Sequence, residues 1–502
     1  MLCTIFLLAT ITLLLVGYFY VKKKYSYWEE RGVPYLKPTF PLGNLWGAGY
    51  SKHTSELIVE YYRKMKGQCP IGGIYFLTQP MATILDLDLL KNILVKDFQY
   101  FHDRGMYVNE RDDPLSGHLF ALSGQKWKLM RAKLTPTFTS GKMKMMHSTI
   151  VAVAEEFQNF LEPYANSEEV IEFKNILARF TTDVIGSCAF GIECNTLKNP
   201  KSDFLRVGSK ISDLSGFRFI KIMFIMVFPN LAKNLRMCIT PKEVDTFFIN
   251  LLRETIQNRE ENNVKRNDFL SLLIQLKNTG KLEGDSVDLG TITFEELAAQ
   301  TQLFFGAGFD TSSHTMAFSF YELALNQDIQ EQLRNEVQTV LEKHGGEFTY
   351  EACMEMKYLD MIIRETLRKY PVLDNLVREA TNAYTIPGTN HVIEKGIGAF
   401  IPVFAIHRDP EIYPNPERFD PNRFIEDEIA KRHPMAWIPF GEGPRMCVGM
   451  RFGMMQVRLG LASVVNKYRI QVTQKTPIPI VFDPNSAFLA SKGGMWLKIE
   501  KI

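Results

Sequence analysis

Cys447 is the residue in this chain best placed for chemistry. It lies in Phe440-Gly441-Glu442-Gly443-Pro444-Arg445-Met446-Cys447-Val448-Gly449, a glycine-rich loop that leads into an apolar helical pattern through Met454, Val457 and Leu461. Glycines let a backbone approach a flat cofactor closely and turn its amides toward the sulfur. Those amides, with the positive end of the helix that follows, stabilise a thiolate. Phe440 is expected to pack against the cofactor and Arg445 to pair with a carboxylate on it. A second constellation, Phe305-Gly306-Ala307-Gly308-Phe309-Asp310-Thr311-Ser312, interrupts a long apolar helical run with glycines, an acid and hydroxyls, where propensity favours Ala or Leu. Something other than helix stability selects those residues. The remaining cysteines, Cys3, Cys69, Cys188, Cys194, Cys238 and Cys353, are scattered and form no C-x-x-C pair, which argues against zinc sites and a disulfide framework.

The Cys447 segment resembles the haem-ligand loop F-x-x-G-x-R-x-C-x-G of the cytochrome P450 monooxygenases, and it matches at every fixed position from Phe440 to Gly449. The resemblance implies a mainly α fold with small β-sheets, haem b (iron protoporphyrin IX) bound through Cys447, and dioxygen as co-substrate. Glu365-Thr366-Leu367-Arg368 is similar to the family's E-x-x-R helix, and Pro416-Glu417-Arg418-Phe419 to the segment that supplies a second arginine. Glu365, Arg368 and Arg418 are therefore expected to form a structural network beneath the haem. Trp127-Lys128-Leu129-Met130-Arg131 resembles the W-x-x-x-R helix whose Trp and Arg share one face and hold a propionate. By similar position, Arg104 and Arg378 should join Arg445 around the carboxylates.

Ala307 to Ser312 matches the family pattern [AG]-G-x-[DE]-T-[TS]. That match implies that Gly308 lets the helix open a groove, that Thr311 holds dioxygen or a water, and that Asp310 relays protons from solvent. Tyr107, Phe120, Phe304, Phe305, Ala307, Val372, Leu376 and Phe488 fall in segments similar to the family's variable cavity walls. Val372 departs from the pattern, since many relatives carry a second proline after Pro371.

No G-x-G-x-x-G follows a strand pattern, so electrons must come from outside. The implied donor is an NADPH-dependent flavoprotein reductase, with cytochrome b5 as a further partner. Lys126, Lys128, Lys133, Lys142 and Lys144 are candidates for the docking face. The wording of several motifs is most similar to microsomal insect members that detoxify plant compounds and insecticides, which implies a single-pass protein of the endoplasmic reticulum membrane. Two other classes would use the same loop: a haem-thiolate isomerase or dehydratase that needs no dioxygen, and a membrane-anchored haem protein without turnover. Retention of Asp310 and Thr311 argues against the first.

These groups need elements to position them. Leu2 to Val21 holds no charge and as a helix extends roughly 30 Å, the thickness of a bilayer's hydrocarbon core. Lys22, Lys23 and Lys24 follow at once, the arrangement of an uncleaved anchor over residues 1–21 with the rest of the chain in the cytoplasm. Pro34, Pro38 and Pro41 mark residues 22–49 as a basic, proline-containing linker, read as a hinge. Residues 50–502 show no internal repeat and mostly helical periodicity, which fits one large domain. Helices are expected around Glu155–Leu161, Asp245–Gln257, Asp268–Lys277, Asp328–Lys343 and Met356–Lys369. A long buried helix should begin at the Thr293/Glu296 capping box. Strands are expected within Ala383–Pro402 and Ile470–Ile499. The apolar cluster from Phe217 to Pro229 is too short to span a membrane and suits its interface. A net charge of +2 carries no strong basic excess, so no nucleic-acid partner is expected.

Overall fold

The computed structural model describes residues 2–213, 216–264, 266–282 and 287–502, with the side chains of Leu2, Cys3, Ala9, Leu13, Leu14 and Ser212 outside that description. The uncharged run forms helix α1 (Leu2–Tyr25), which continues through the three lysines. It is the one helix among the described residues long and apolar enough to cross a membrane, and none of its apolar window is buried against the rest of the protein.

The proline-containing segment that follows is clamped to the domain, contrary to the hinge expected of it. Trp28 and Val33 are buried, the Trp28 indole Nε1 donates to the Ile74 carbonyl at 3.2 Å, and a Cβ on Gly73 would stand 2.4 Å from the Trp28 ring. The packed domain therefore begins at Trp28 and not at residue 50. Trp28 covers a four-stranded sheet of β1 (Ile71–Phe76), β2 (Gln79–Ile84), β3 (Leu376–Glu379) and β4 (Gly398–Ile401), in the order β1-β2-β4-β3. Strands β2 and β4 run parallel, and the other neighbours run antiparallel. Arg378 sits on β3 opposite Ala399, so this sheet sets its position. A smaller sheet joins β5 (Tyr468–Val472) to β6 (Trp496–Lys501) and to the short strand Ile171–Glu172.

Helices make up the bulk of the domain and share one large apolar core. Those that build the site are α2 (Gly124–Leu134), α3 (Ser140–Ala165), α4 (Phe173–Ile185), α5 (Gly216–Val227), α6 (Lys242–Glu261), α7 (Phe269–Thr279), α8 (Phe294–Leu325), α9 (Lys357–Lys369) and α10 (Met450–Lys467). The central one is α8. Thr293 Oγ1 accepts from the Glu296 amide at 3.1 Å while the Glu296 carboxylate accepts from the Thr293 amide at 2.9 Å, so the capping box read from sequence starts it. Apolar residues on nearly every side then require burial all round, and α4, α9 and α10 provide it.

Gly308 differs from expectation. Helix α8 runs through it as unbroken α-helix, with no widened turn. A Cβ there would meet Ile185 Cδ1 at 2.7 Å. The glycine thus admits a close approach of α4 in place of opening a groove. Its carbonyl accepts a second bond, from Gln456 Nε2 on α10 at 3.0 Å.

Candidate active site

The loop before α10 is shaped by positions that only glycine tolerates. Gly441 and Gly443 take φ of +71° and +73°, and a Cβ on Gly443 would lie 1.9 Å from the Leu94 carbonyl oxygen. The Cys447 amide donates to the Phe440 carbonyl at 2.9 Å, which closes the loop. Gly449 caps α10 just beyond it. The Cys447 side chain presents accessible surface, yet desolvation is the largest influence on its pKa and pushes the thiol up. The Gly449 amide and the Arg131 and Arg104 guanidinium groups oppose that rise. A desolvated side chain with accessible surface lines an internal void.

Four arginines surround that void. Desolvation pushes the Arg445 guanidinium down to about 9 and the Arg378 guanidinium to about 10, and Arg445 is lowered further by Arg378 and Arg131. Arg104 is held well below its ordinary value by burial and then by Arg378 and Arg445. Among the described residues the four make a single ion pair, Arg445 with Asp103 at 3.5 Å. Arg445 is otherwise occupied by the carbonyls of His102 at 2.8 Å and Leu122 at 2.7 Å, and it stacks 4.0 Å above the Trp127 ring. Arg131 donates to the Met446 carbonyl at 2.9 Å and Arg104 to the Phe120 carbonyl at 2.8 Å. Arg378 Nε is buried with no partner.

So many cations around an enclosed space, with an orphaned donor among them, need negative charge from outside the chain. The two propionates of a haem supply it, and the thiol fits the iron. No cluster of three or more His, Cys, Asp or Glu among the described residues could hold a bare metal ion, so a metal at Cys447 must arrive with most of its ligands in place, as in a porphyrin.

Helix α8 forms the opposite wall. Ala307 is exposed and Leu303 and Thr311 are half-buried on a helix that is otherwise largely covered, so the i−4, i, i+4 stripe they form faces open space. Thr311 Oγ1 donates to the Ala307 carbonyl at 2.6 Å. Asp310 turns elsewhere. Its Oδ1 accepts from Lys174 Nζ on α4 at 2.8 Å and lies 3.2 Å from His314 Nδ1. Burial raises the pKa of the carboxyl, but His314 and Lys174 outweigh it and hold the group well below the usual carboxylate range. Asp310 is thus an anion paired with Lys174, whose side chain keeps accessible surface, so the acid is joined to solvent on the α4 side. Lys174 and His314 went unread in the sequence, although the Asp310/His314 spacing of i, i+4 was visible there.

Several cavity expectations also need correction. Phe304 packs edge-on to Phe269 at 4.4 Å and to Phe138 at 5.2 Å. Phe305 is wholly buried among Phe190, Phe204, Phe248 and Phe309. Both fill the helical core and leave the open wall to Ala307. Tyr107 is covered by Ile225 and Ala232, and its hydroxyl donates to the Met237 carbonyl at 2.7 Å, so it ties down the segment after α5. Phe120 keeps accessible surface under the Arg104 guanidinium, 4.0 Å from the ring centroid. Val372, Leu376, Phe440 and Phe488 are half-buried. Leu376 Cδ1 comes within 3.6 Å of a Cβ built on Gly441, which places it against the Cys447 loop.

The structural network beneath the loop forms with one change of member. Arg368 grips Glu365 with two bonds of 2.7 and 2.8 Å, both side chains are fully buried, and Arg368 also donates to the carbonyls of His407 at 2.9 Å and Pro416 at 2.8 Å. The second arginine is Arg423, with Nε 3.5 Å from Glu365 Oε1. Arg418 is exposed and contributes only its backbone carbonyl. Pro421-Asn422-Arg423-Phe424 repeats the Pro-x-Arg-Phe pattern of residues 416–419, and that repeat was the available signal.

Comparison with known proteins agrees with this geometry. The family model for cytochrome P450 matches residues 34–498. The chain is 48% identical over 504 residues to Cytochrome P450 6a2 of Drosophila melanogaster, covering 99% of each chain. It is 46% identical to Cytochrome P450 6a9 of the same fly over 498 residues, again 99% of each. With Cytochrome P450 6A1 of Musca domestica it shares 44% identity over 489 residues, 96% of this chain and 95% of the relative. Likeness end to end, together with a desolvated thiol facing a ring of arginines that holds a single ion pair, makes this chain a member of the cytochrome P450 family, an oxidoreductase of the haem monooxygenase type.

Proposed function

We propose that the enzyme inserts one atom of dioxygen into apolar small molecules, either xenobiotics such as plant toxins and insecticides or endogenous lipids and hormones. Electrons pass from NADPH through a membrane-bound flavoprotein reductase. The observation that carries this reading is the open stripe of Leu303, Ala307 and Thr311, apolar but for one hydroxyl, on the helix that walls the Cys447 site. Bound haem supplies the activation of dioxygen by two electrons, with the second oxygen atom leaving as water. Cys447 holds the metal as thiolate, and Arg104, Arg131, Arg378 and the Trp127 indole hold the carboxylates while Arg445 shapes the loop around them. The small side chain of Ala307 leaves room for substrate, and Phe120, Val372, Leu376 and Phe488 exclude water from it. The Thr311 hydroxyl keeps a water at the stripe.

Membrane attachment follows from α1 and from the exposed apolar side chains of Phe217, Ile220, Met226 and Phe228 around α5. Catalysis at the cytoplasmic face of the endoplasmic reticulum is the arrangement the lysines in the last turn of α1 support. On α2, Lys128 is exposed and free of ion pairs among the described residues, whereas Lys126 and Lys144 already pair with Glu110 and Glu351. Lys128 is thus the best-placed contact for an acidic flavoprotein. In vesicles holding the enzyme and its reductase, oxygenated products should form from apolar substrates only when NADPH is present. Product formed without NADPH contradicts the reading and points to an isomerase.

A further inference from the structure

Two walls of the Cys447 site are held from one point outside it. Val372 belongs to Pro371–Asn375, an irregular stretch between α9 and β3, and Leu376 follows as the first residue of β3. Among the described residues, every hydrogen bond from this stretch to another element passes through Asp374. Its carbonyl accepts from the Phe404 amide at 2.9 Å, and its buried carboxylate accepts from Thr54 Oγ1 at 2.7 Å. Thr54 opens the helix Thr54–Met65, and His53 caps it. Burial pushes the Asp374 carboxyl up, and the Thr54 hydroxyl is the first of the groups that oppose the rise. The second wall carries Phe488, in a hairpin where the Asp483 amide donates to the Ala490 carbonyl at 2.9 Å and the Lys492 amide to the Val481 carbonyl at 2.8 Å. At its base the Phe482 ring lies 6.1 Å from His53, 5.8 Å from Phe404 and 6.5 Å from Tyr370. His53 Nδ1 stands 3.9 Å from Asp374 Oδ2, so the two walls meet at one buried imidazole. Its Nε2 is buried with no partner, a loss of stability that a Ser or Asp cap would avoid. Contact with both walls is what a shorter cap would lack.

Resting on the monooxygenase reading, we infer that His53, Thr54 and Asp374 are positioning residues that set which apolar ligands the site accepts by fixing where Val372, Leu376 and Phe488 stand in its wall. They act from behind that wall and touch no substrate. A stretch without ladder bonds takes its conformation from the few contacts it makes, and here a single buried acid makes them. Loss of the Thr54 bond leaves that acid short of a donor and gives the stretch other conformations. A ligand wide enough to press on the wall must then reorder it on binding, whereas a ligand too small to reach it bears no such cost.

The test uses the full-length, haem-loaded protein and needs no turnover. Thr54→Val removes the hydroxyl at nearly constant shape, and Thr54→Ser keeps it. Spectral titrations with phenylimidazole, whose ring must fit against the wall, and with imidazole, which reaches only the metal, give two affinities for each variant. Thr54→Val should weaken phenylimidazole by roughly three- to tenfold, the cost of reordering one or two side chains, and leave imidazole within about twofold. Thr54→Ser should follow wild type with both ligands. Asp374→Asn breaks the same pair from its other side and should likewise weaken phenylimidazole while sparing imidazole. Amide hydrogen exchange, read by mass spectrometry, should quicken in Thr54→Val at residues 371–376 and 481–492. Phenylimidazole bound by Thr54→Val as tightly as by wild type overturns the inference, as does equal weakening of both ligands. Exchange that quickens only within the helix Thr54–Met65 overturns it too, since the hydroxyl would then serve that helix alone. A wild-type protein without the thiolate–carbon monoxide band would fail the monooxygenase reading instead.

Discussion

Arg423 and Arg418 carry the same charge five residues apart, and what each guanidinium faces decides its worth. Arg423 reaches a fully buried carboxylate, and Arg418 reaches solvent. Arg423→Ala should lower stability by about 2 kcal/mol, because it removes the ion pair with Glu365 and the guanidinium's bonds to the Pro414 and Asn415 carbonyls, while Arg418→Ala should stay within about 0.5 kcal/mol; urea midpoints separate the two. Asp310 gives a prediction in pH. Its folded carboxyl lies below its unfolded value of 3.8, so the stability from its pairing with Lys174 is fully present above that pH and declines progressively as pH falls from there toward the folded value. The stability gap between wild type and Lys174→Met, read from urea unfolding, should therefore be wide at pH 7 and narrow below about pH 4. The Cys447 loop was legible because its determinants are local in sequence: glycines, an arginine and a cysteine at fixed spacing. Arg423 was not, because two Pro-x-Arg-Phe segments compete and only burial distinguishes them. The cation that pairs with Asp310 was not legible, because composition says nothing about which neighbouring helix supplies it.

Packing between elements explains the glycines that chemistry had seemed to claim. At Gly308 an added methyl would overlap Ile185 on α4, so Gly308→Ala should cost about 1–3 kcal/mol by overpacking. In an Ile185→Ala background, itself about 2–5 kcal/mol less stable, the same glycine change should cost little, and a double-mutant cycle on thermal unfolding checks the coupling. If Gly308 served an opened groove instead, trimming Ile185 would restore nothing. Helix α8 was readable from its capping box and its length. The hairpin of β1 and β2 was missed because Gly72, Gly73 and Pro80 spoil the strand pattern. The two glycines are there because Met65 and Trp28 press against the strand, where a Cβ on Gly72 would lie 2.4 Å from Met65 and one on Gly73 2.4 Å from Trp28. Phe304 and Phe305 went to the core because α7 and α6 meet α8 on the sides that carry them.

At the scale of the molecule, the apolar length of α1 stands unburied, and packing against the domain starts only toward its end at Tyr25. Removal of residues 1–20 should release the protein from vesicles while leaving its unfolding midpoint unchanged, because α1 is unburied along its apolar length and meets the sheet only through Tyr25 near its end. Trp28→Ala should instead lose about 3–5 kcal/mol, the cost of emptying a fully buried aromatic site. The proline content of residues 22–49 suggested a hinge, and only the sheet against which Trp28 packs shows that the segment is held. All of the function argued for this chain depends on the bond between Cys447 sulfur and haem iron, and carbon monoxide added to the reduced protein tests it most directly. Wild type should give the red-shifted absorption of thiolate ligation, and Cys447→Ser should lose it while keeping its helical circular dichroism. Folded, haem-loaded wild type without that band, or a Cys447→Ser variant that keeps it, would contradict the assignment.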